Sequence, residues 1–110
     1  MNIQIFGNSK CFDTKKAERW FKERRIKYQY IDLLKFGLSR GELSSVVNAV
    51  GIDNIVNPAD QDYELYKHLA LKEDKFERLF NIPEMIKTPV VRNGKSATVG
   101  YEPEVWKNWQ

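Results

Sequence analysis

The segment Ile3-Gln4-Ile5-Phe6-Gly7-Asn8-Ser9-Lys10-Cys11-Phe12-Asp13-Thr14 decides the fold of this chain. Its apolar start predicts a buried strand over residues 2–6, and the amphipathic run after it predicts a helix over residues 12–25. Cys11 is the only cysteine in the sequence, and it lies where the strand gives way to the helix. Unpaired amides and the helix dipole favour a thiolate at such a position. The sequence therefore predicts a reactive thiol, against the alternative that Cys11 is a small buried hydrophobe.

The middle of the chain reads as one more strand followed by helices. Alternation over residues 28–32 predicts the strand. Ser39 is a natural N-cap with Glu42 three residues further on, which is a capping box, and Gly51 is the expected C-cap of the helix that follows. Further helical patterns cover residues 61–72 and 74–80.

The last third of the chain predicts a hairpin and a short helix. Two apolar runs, residues 88–91 and 96–99, flank Asn93-Gly94, a strong signal for a tight hairpin turn. Residues 102–109 predict the final helix, with Pro103 in its first turn.

These elements give the order β-α-β, a helical insert at about residues 38–82, and then β-β-α. A length of 110 residues fits one domain. Two parallel strands need the crossover helix between them, and its hand is fixed. The expected architecture is an α/β, thioredoxin-like domain with a four-stranded mixed sheet. In that arrangement a proline before the third strand is commonly cis and lies beside the thiol, and Pro89 occupies this place.

Net charge and composition limit the classes of partner and the cellular locations that we expect for this protein. The formal net charge is +3, which is low for direct nucleic-acid binding. The excess positive charge lies in residues 10–27, which contain eight basic and three acidic residues. This segment is either a solvated helix face or a surface that attracts anions. No run approaches the ~18 apolar residues of a membrane span. With no signal-peptide pattern and one unpaired cysteine, we expect a cytoplasmic protein.

Several segments resemble the ArsC/Spx family of arsenate reductase-like, glutaredoxin-related proteins. They are Cys11-Phe12-Asp13-Thr14-Lys15-Lys16-Ala17, Leu69-Ala70-Leu71-Lys72, Ile86-Lys87-Thr88-Pro89-Val90-Val91 and Val99-Gly100-Tyr101. The resemblance covers nearly the whole chain and implies a thioredoxin-like sheet with an inserted helical lobe. Family members include arsenate reductases coupled to glutathione or glutaredoxin, and Spx-type regulators that bind RNA polymerase.

Three departures from the reductases bear on the substrate. Arginines that hold the oxyanion in those enzymes correspond here to Asp60, Thr88 and Tyr101. Charge-assisted contacts are what bind such oxyanions strongly, so arsenate is not the expected substrate. Arg92 and Lys87 lie nearby in sequence as substitutes, although strand alternation directs some of these side chains away.

The predicted site combines the thiol with its neighbours. Thr14 makes the pattern CxxT, so a single thiolate needs an external thiol for resolution, with glutathione or a glutaredoxin as the implied co-substrate and no bound cofactor. Thr14 either donates a hydrogen bond to the sulfur or caps the helix. The amides of residues 7–12 predict an anion-binding nest, and nearby lysines are expected to lower the thiol pKa. The predicted binding residues are Asn8, Ser9, Lys10, Lys15, Thr88 and Pro89.

Other chemistries find less support in the sequence. His68 is the only histidine, and it is predicted to be partly exposed surface and not a partner of Cys11. One cysteine and one histidine do not make a zinc site, so no metal is expected. Two functions stay open: a monothiol oxidoreductase, or a Spx-like adaptor of RNA polymerase. The second is favoured by Gly100-Tyr101 and the acidic residues after it, and by Gly51, which lies where that branch contacts its partner.

Overall fold

A parallel β-α-β unit begins the chain in the computed structural model, which describes residues 1–109. Strand β1 (Ile3–Gly7) is followed by helix α1 (Phe12–Glu23) and strand β2 (Tyr28–Asp32). The two strands pair in parallel, with Ile3 opposite Tyr28. The predicted positions of all three elements are therefore confirmed within two residues.

A lobe of short helices is inserted after this unit. It contains α2 (Leu33–Phe36), α3 (Arg40–Val50), α4 (Tyr63–Lys67) and α5 (Lys72–Asn81). The capping box at the start of α3 is present, since the Ser39 Oγ accepts from the Glu42 amide and the Glu42 carboxylate accepts from the Ser39 amide. Gly51 is the C-cap of this helix, as predicted, and has φ +88°.

Two predictions in this lobe need correction. Helix α2 was not predicted; it begins because the Asp32 carboxylate accepts from the Leu34 amide. The helix predicted over residues 61–72 ends at Lys67, because the Leu69 amide turns back to the Tyr66 carbonyl and Leu71 is extended at the start of α5.

A hairpin closes the sheet. Strands β3 (Val90–Asn93) and β4 (Ser96–Val99) pair antiparallel with Asn93 opposite Ser96. The two-residue loop is therefore Gly94-Lys95 and not the predicted Asn93-Gly94. Gly94 has φ +61°, which a glycine adopts without strain.

The strand order β2-β1-β3-β4 gives the predicted four-stranded mixed sheet. One face packs on α1 and α6 (Pro103–Trp106), and the other face packs on the inserted lobe. A 3₁₀ turn over residues 107–109 follows α6. Trp106 is fully buried, whereas Trp109 is only partly buried. No helix within residues 1–109 is long and apolar enough to cross a membrane.

Candidate thiol site at the start of helix α1

A tight turn places Cys11 at the carboxyl end of β1. The Cys11 amide donates to the Asn8 carbonyl at 2.9 Å, and the Lys10 amide donates to the Asn8 side-chain oxygen at 2.9 Å. Cys11 has extended backbone (φ −90°, ψ 121°) and is the N-cap of α1. Its thiol is partly exposed. The predicted placement of the cysteine at the first helix start is thus confirmed.

The loop before β3 lies against this thiol because β3 pairs with β1. Phe6 is opposite Val90, so the preceding Thr88-Pro89 peptide reaches the same end of the sheet. The Thr88–Pro89 bond is cis and Pro89 is buried. The Cys11 S–H donates to the Thr88 carbonyl oxygen at 3.6 Å. The structure therefore brings Cys11, Thr88 and Pro89 together, as the fold implied.

The pKa of the Cys11 thiol lies below its ordinary value. Partial burial acts to raise this pKa. Hydrogen bonds from the Thr88 and Thr14 side chains, and from the backbone amides of Thr14 and Asp13, stabilise the thiolate and outweigh burial. The thiolate is therefore favoured by neutral donors that the fold brings around the sulfur.

The predicted role of two lysines in this shift is wrong. Neither Lys10 nor Lys15 is among the groups of residues 1–109 that lower the pKa of Cys11. Both side chains are exposed, and water and salt screen exposed charges. The two lysines remain candidate contacts for an anionic substrate.

Half of the backbone amides in the predicted anion-binding nest form hydrogen bonds within the turn itself. The amides of Lys10 and Cys11 donate to Asn8, and the Asn8 amide donates to the Thr14 Oγ1 at 3.3 Å. These three donors are not available to an anion. Ser9 remains exposed at the turn.

Thr14 is buried and ties the turn to the helix. Its hydroxyl accepts from the Asn8 amide, outside the helix, and also hydrogen-bonds towards the sulfur. Of the two alternatives, contact with the thiol describes its position better than helix capping does.

The packing of Gly7 against Thr14 and the position of Tyr30 were not predicted from the sequence. A Cβ on Gly7 would lie 2.4 Å from the Thr14 Cγ2 and 3.1 Å from the Tyr30 ring, so only glycine fits there. Burial, together with Asp32, Glu18 and Cys11, raises the pKa of Tyr30. Gly7 carried a usable signal, a glycine ending a strand before the cysteine. Tyr30 carried none, because its closeness depends on strand pairing.

The three positions where the reductases have arginines serve other purposes here. The Asp60 carboxylate accepts from the Asp62 amide at 2.8 Å and shapes its own loop. Thr88 hydrogen-bonds the sulfur. The Tyr101 ring packs edge-on against Trp106, with ring centroids 5.5 Å apart.

The proposed substitutes for those arginines differ from each other. Arg92 donates to the Gln4 side-chain oxygen at 2.7 Å and lies 3.8 Å from a Glu42 carboxylate oxygen, beneath α3. Its guanidinium group is therefore held by partners in β1 and α3. The Lys87 Nζ lies beside Gly100, 3.6 Å from where a Cβ would be, in the loop that flanks Pro89.

His68 lies on the protein surface. The His68 side chain is 78% exposed and lies 3.9 Å from the Glu64 carboxylate, as the surface prediction required. Within residues 1–109, no group of three or more His, Cys, Asp or Glu side chains is placed to hold a metal ion.

Comparisons with known proteins agree on the family. The sequence pattern that defines the ArsC family matches residues 6–109. The chain is 29% identical to the global transcriptional regulator Spx 2 of Oceanobacillus iheyensis, over 94% of this chain and 80% of that protein. It is 26% identical to the arsenate reductase of Haemophilus influenzae, over 94% and 95% of the two chains. The solved structure of a protein named YffB superposes with a TM-score of 0.82 at 28% identity, covering 96% of each chain.

Proposed function

Because the chain belongs to the ArsC family, we propose that it is a monothiol oxidoreductase with Cys11 as nucleophile. An external thiol, glutathione or a glutaredoxin, is the reductant. The observation that carries the proposal is the thiol of lowered pKa held between α1 and the Thr88–Pro89 loop. A thiolate at a partly exposed helix start is the reactive form of cysteine.

The proposed reaction is two thiol–disulfide exchanges. The Cys11 thiolate attacks one sulfur of a substrate disulfide, forming a mixed disulfide and releasing the other half as a thiolate that takes a proton from water. A glutathione thiolate then attacks the substrate-derived sulfur of that mixed disulfide. This step releases the Cys11 thiolate and leaves a glutathione–substrate disulfide, so no second cysteine is needed.

Hydrogen bonds make Cys11 a good leaving group as well as a nucleophile. The donors from Thr14 and Thr88 stabilise the thiolate in both roles. Thr88 and Pro89 line the approach to the sulfur, where an extended substrate would lie. Asn8, Ser9, Lys10 and Lys15 border the same turn and are the proposed contacts for the anionic groups of glutathione.

Arsenate is not the proposed substrate. The residues at the three arginine positions include one carboxylate and are occupied by local packing and hydrogen bonding. Arg92, a possible substitute, is held by Gln4. Strong oxyanion binding needs cations at the site, and the thiol here is surrounded by neutral donors.

Turnover of bis(2-hydroxyethyl) disulfide with glutathione tests the proposal. The wild-type protein should turn over this probe, and Cys11→Ser should reduce turnover to the uncatalysed rate, because serine is not a comparable nucleophile at neutral pH. Ser44→Ala, on the exposed face of α3, is the control and should retain most activity, because Ser44 has no part in the proposed site. Turnover that persists in Cys11→Ser would contradict the proposal, as would a wild-type protein with no activity towards any glutathione-linked disulfide. Arsenate with glutathione should give no turnover.

A second candidate, a regulatory adaptor of RNA polymerase, is favoured by the likeness to a protein named Spx 2. Gly51, at the exposed end of α3, lies in the region implied for that contact and has φ +88°. Copurification with polymerase from the native cell tests it. Binding that survives Cys11→Ser but is lost in Gly51→Arg would favour the adaptor over the enzyme. Since Cys11 has no second cysteine to pair with, such an adaptor would not sense oxidants through an internal disulfide.

A further inference from the structure

A groove on the outer side of α1 contains several cations that form no ion pair with the carboxylates of residues 1–109. It is lined by Lys16, Arg19, Trp20, Glu23, Arg24 and Tyr101 and has a volume of about 360 Å³. We name it the Tyr101 groove. It begins next to the thiol site, since the Gly100 amide donates to the Pro89 carbonyl at 2.8 Å and Tyr101 follows directly.

The cations of this groove are unpaired although carboxylates are near. Within residues 1–109, none of Lys16, Arg19 and Arg24 forms an ion pair, and neither does Glu23, which lines the same groove. Elsewhere in the protein, by contrast, cations such as Lys75 and Lys107 contact carboxylates directly. The groove therefore presents a net positive surface.

Two of its cations are held in place by aromatic rings. The Arg24 guanidinium lies 4.0 Å from the centre of the Trp20 ring, and its Nη1 donates to the Trp20 carbonyl at 3.1 Å. The Lys16 Nζ lies 5.3 Å from the centre of the Tyr101 ring. Such cation–π contacts fix a long side chain, and prior fixing reduces the entropy lost when a ligand binds.

These observations lead us to propose that the Tyr101 groove binds a small phosphate ester. Guanidinium groups match phosphate oxygens with paired N–H donors, and Arg24 keeps free donors beyond the one given to Trp20. Lys16 and Arg19 add charge to the same concavity. Its size admits a small organic molecule and not only an ion. This site is separate from the sulfur and does not depend on the proposed reductase activity.

Pyrophosphate titration followed by amide NMR shifts, at constant ionic strength, tests the site. Saturable shifts should centre on residues 16–24 and Tyr101. The pair Lys16→Gln/Arg19→Gln should weaken binding about tenfold or more, since charge-assisted contacts are lost. The control pair Lys22→Gln/Lys27→Gln removes the same charge outside the groove and should weaken binding less than about threefold, because only screened long-range attraction is lost.

Each alternative outcome overturns the proposal. Equal weakening by both pairs would mean diffuse attraction by a basic helix, and absence of saturation would mean no site. Tight binding of an oligonucleotide without saturable pyrophosphate binding would assign the surface to nucleic acid instead. The Cys11→Ser protein should bind pyrophosphate as the wild type does, so a failure here is distinguishable from failure of the proposed oxidoreductase activity.

Discussion

Several cations of the inserted helical lobe form ion pairs, whereas those along α1 form none with the carboxylates of residues 1–109. In the lobe, Arg40 donates two N–H groups to the Glu77 carboxylate, and the Lys75 Nζ lies 2.8 Å from an Asp53 oxygen. The basic residues of segment 10–27 form no ion pair with any carboxylate of residues 1–109. Cations in the lobe thus contact carboxylates of the lobe itself, whereas those along α1 are available to solvent and solutes.

The two sides also differ in packing. Beneath α1, aromatic rings meet one another: Trp106 lies 5.5 Å from Trp20 and 5.1 Å from Phe21, centroid to centroid. The lobe core is mostly aliphatic, with Leu43, Val46 and Leu79 among its buried residues. A core of a few large interlocking rings should tolerate truncation less well than one of many smaller side chains.

Truncation of Trp106 should give the largest effect. Trp106→Ala removes a fully buried ring and its 2.7 Å hydrogen bond to the Thr98 Oγ1, which would be left buried without that donor. We expect the free energy of unfolding to fall by about 3–5 kcal/mol. Leu79→Ala, the corresponding change in the lobe, should cost about 2–5 kcal/mol and less than Trp106→Ala, because a smaller side chain with no hydrogen bond is removed. Urea unfolding followed by circular dichroism measures both, and an equal or larger loss in Leu79→Ala would break the comparison of packing.

Glycine replacement should give the next largest effect, with opposite signs on the two sides. Gly7→Ala places a Cβ 2.4 Å from the Thr14 Cγ2, and we expect a loss of about 1–3 kcal/mol from overpacking. Gly41→Ala lies on exposed α3 with nothing within 4 Å of the new Cβ, and it should gain up to about 1 kcal/mol of helix propensity.

Thermal unfolding compares the two glycine variants. Displacement of Thr14 in Gly7→Ala should also slow alkylation of Cys11, because a donor to the sulfur moves. A Gly7→Ala protein as stable as wild type, with unchanged alkylation, would show that the turn yields easily and that Thr14 is not held by this contact.

Sequence reasoning succeeded where the cause is local. Ser39 and Glu42 hydrogen-bond each other within one helical turn, and the cysteine follows its strand directly, so both could be predicted. Helix α2 has four residues, too few for a helical periodicity, and depends on one carboxylate, Asp32. It was missed for that reason.

Within the site, contacts between residues far apart along the chain could not be predicted from the sequence. The sequence places Cys11 at a helix start, but the hydroxyl and carbonyl of Thr88 reach the sulfur only because β3 pairs with β1, 77 residues later. A sequence shows which residues are charged, but it does not show which side chains are in contact. This is why the lysines were assigned a shift of pKa that belongs to threonine hydroxyls and backbone amides.

The tuning of the thiol offers a third test of the comparison. Thr88→Val removes a donor that lowers the pKa of Cys11, so the thiol pKa should rise and the alkylation–pH curve should move to higher pH. At pH 7 the thiolate fraction falls, and we expect alkylation to be slower by about 3–10-fold. Lys15→Gln is the control and should leave the curve in place, since this exposed lysine does not contribute to the shift. A larger effect of Lys15→Gln than of Thr88→Val would show that the lysine charge, and not the threonine hydrogen bond, lowers the pKa of Cys11.

The smallest expected effect tests the charge comparison itself. Asp53→Asn breaks the contact with Lys75, whose side chain is only 14% exposed, and should lower the free energy of unfolding by up to about 1 kcal/mol. Lys15→Gln removes an unpaired cation from the first half of α1, near Arg19 one turn on and near the positive end of the helix dipole. We expect it to be neutral or to stabilise by about 0.2–0.5 kcal/mol. Added salt should shrink both differences. If Lys15→Gln instead destabilised the protein as much as Asp53→Asn does, the cations of α1 would already be satisfied within the fold, and the argument that they are available to a solute would lose its basis.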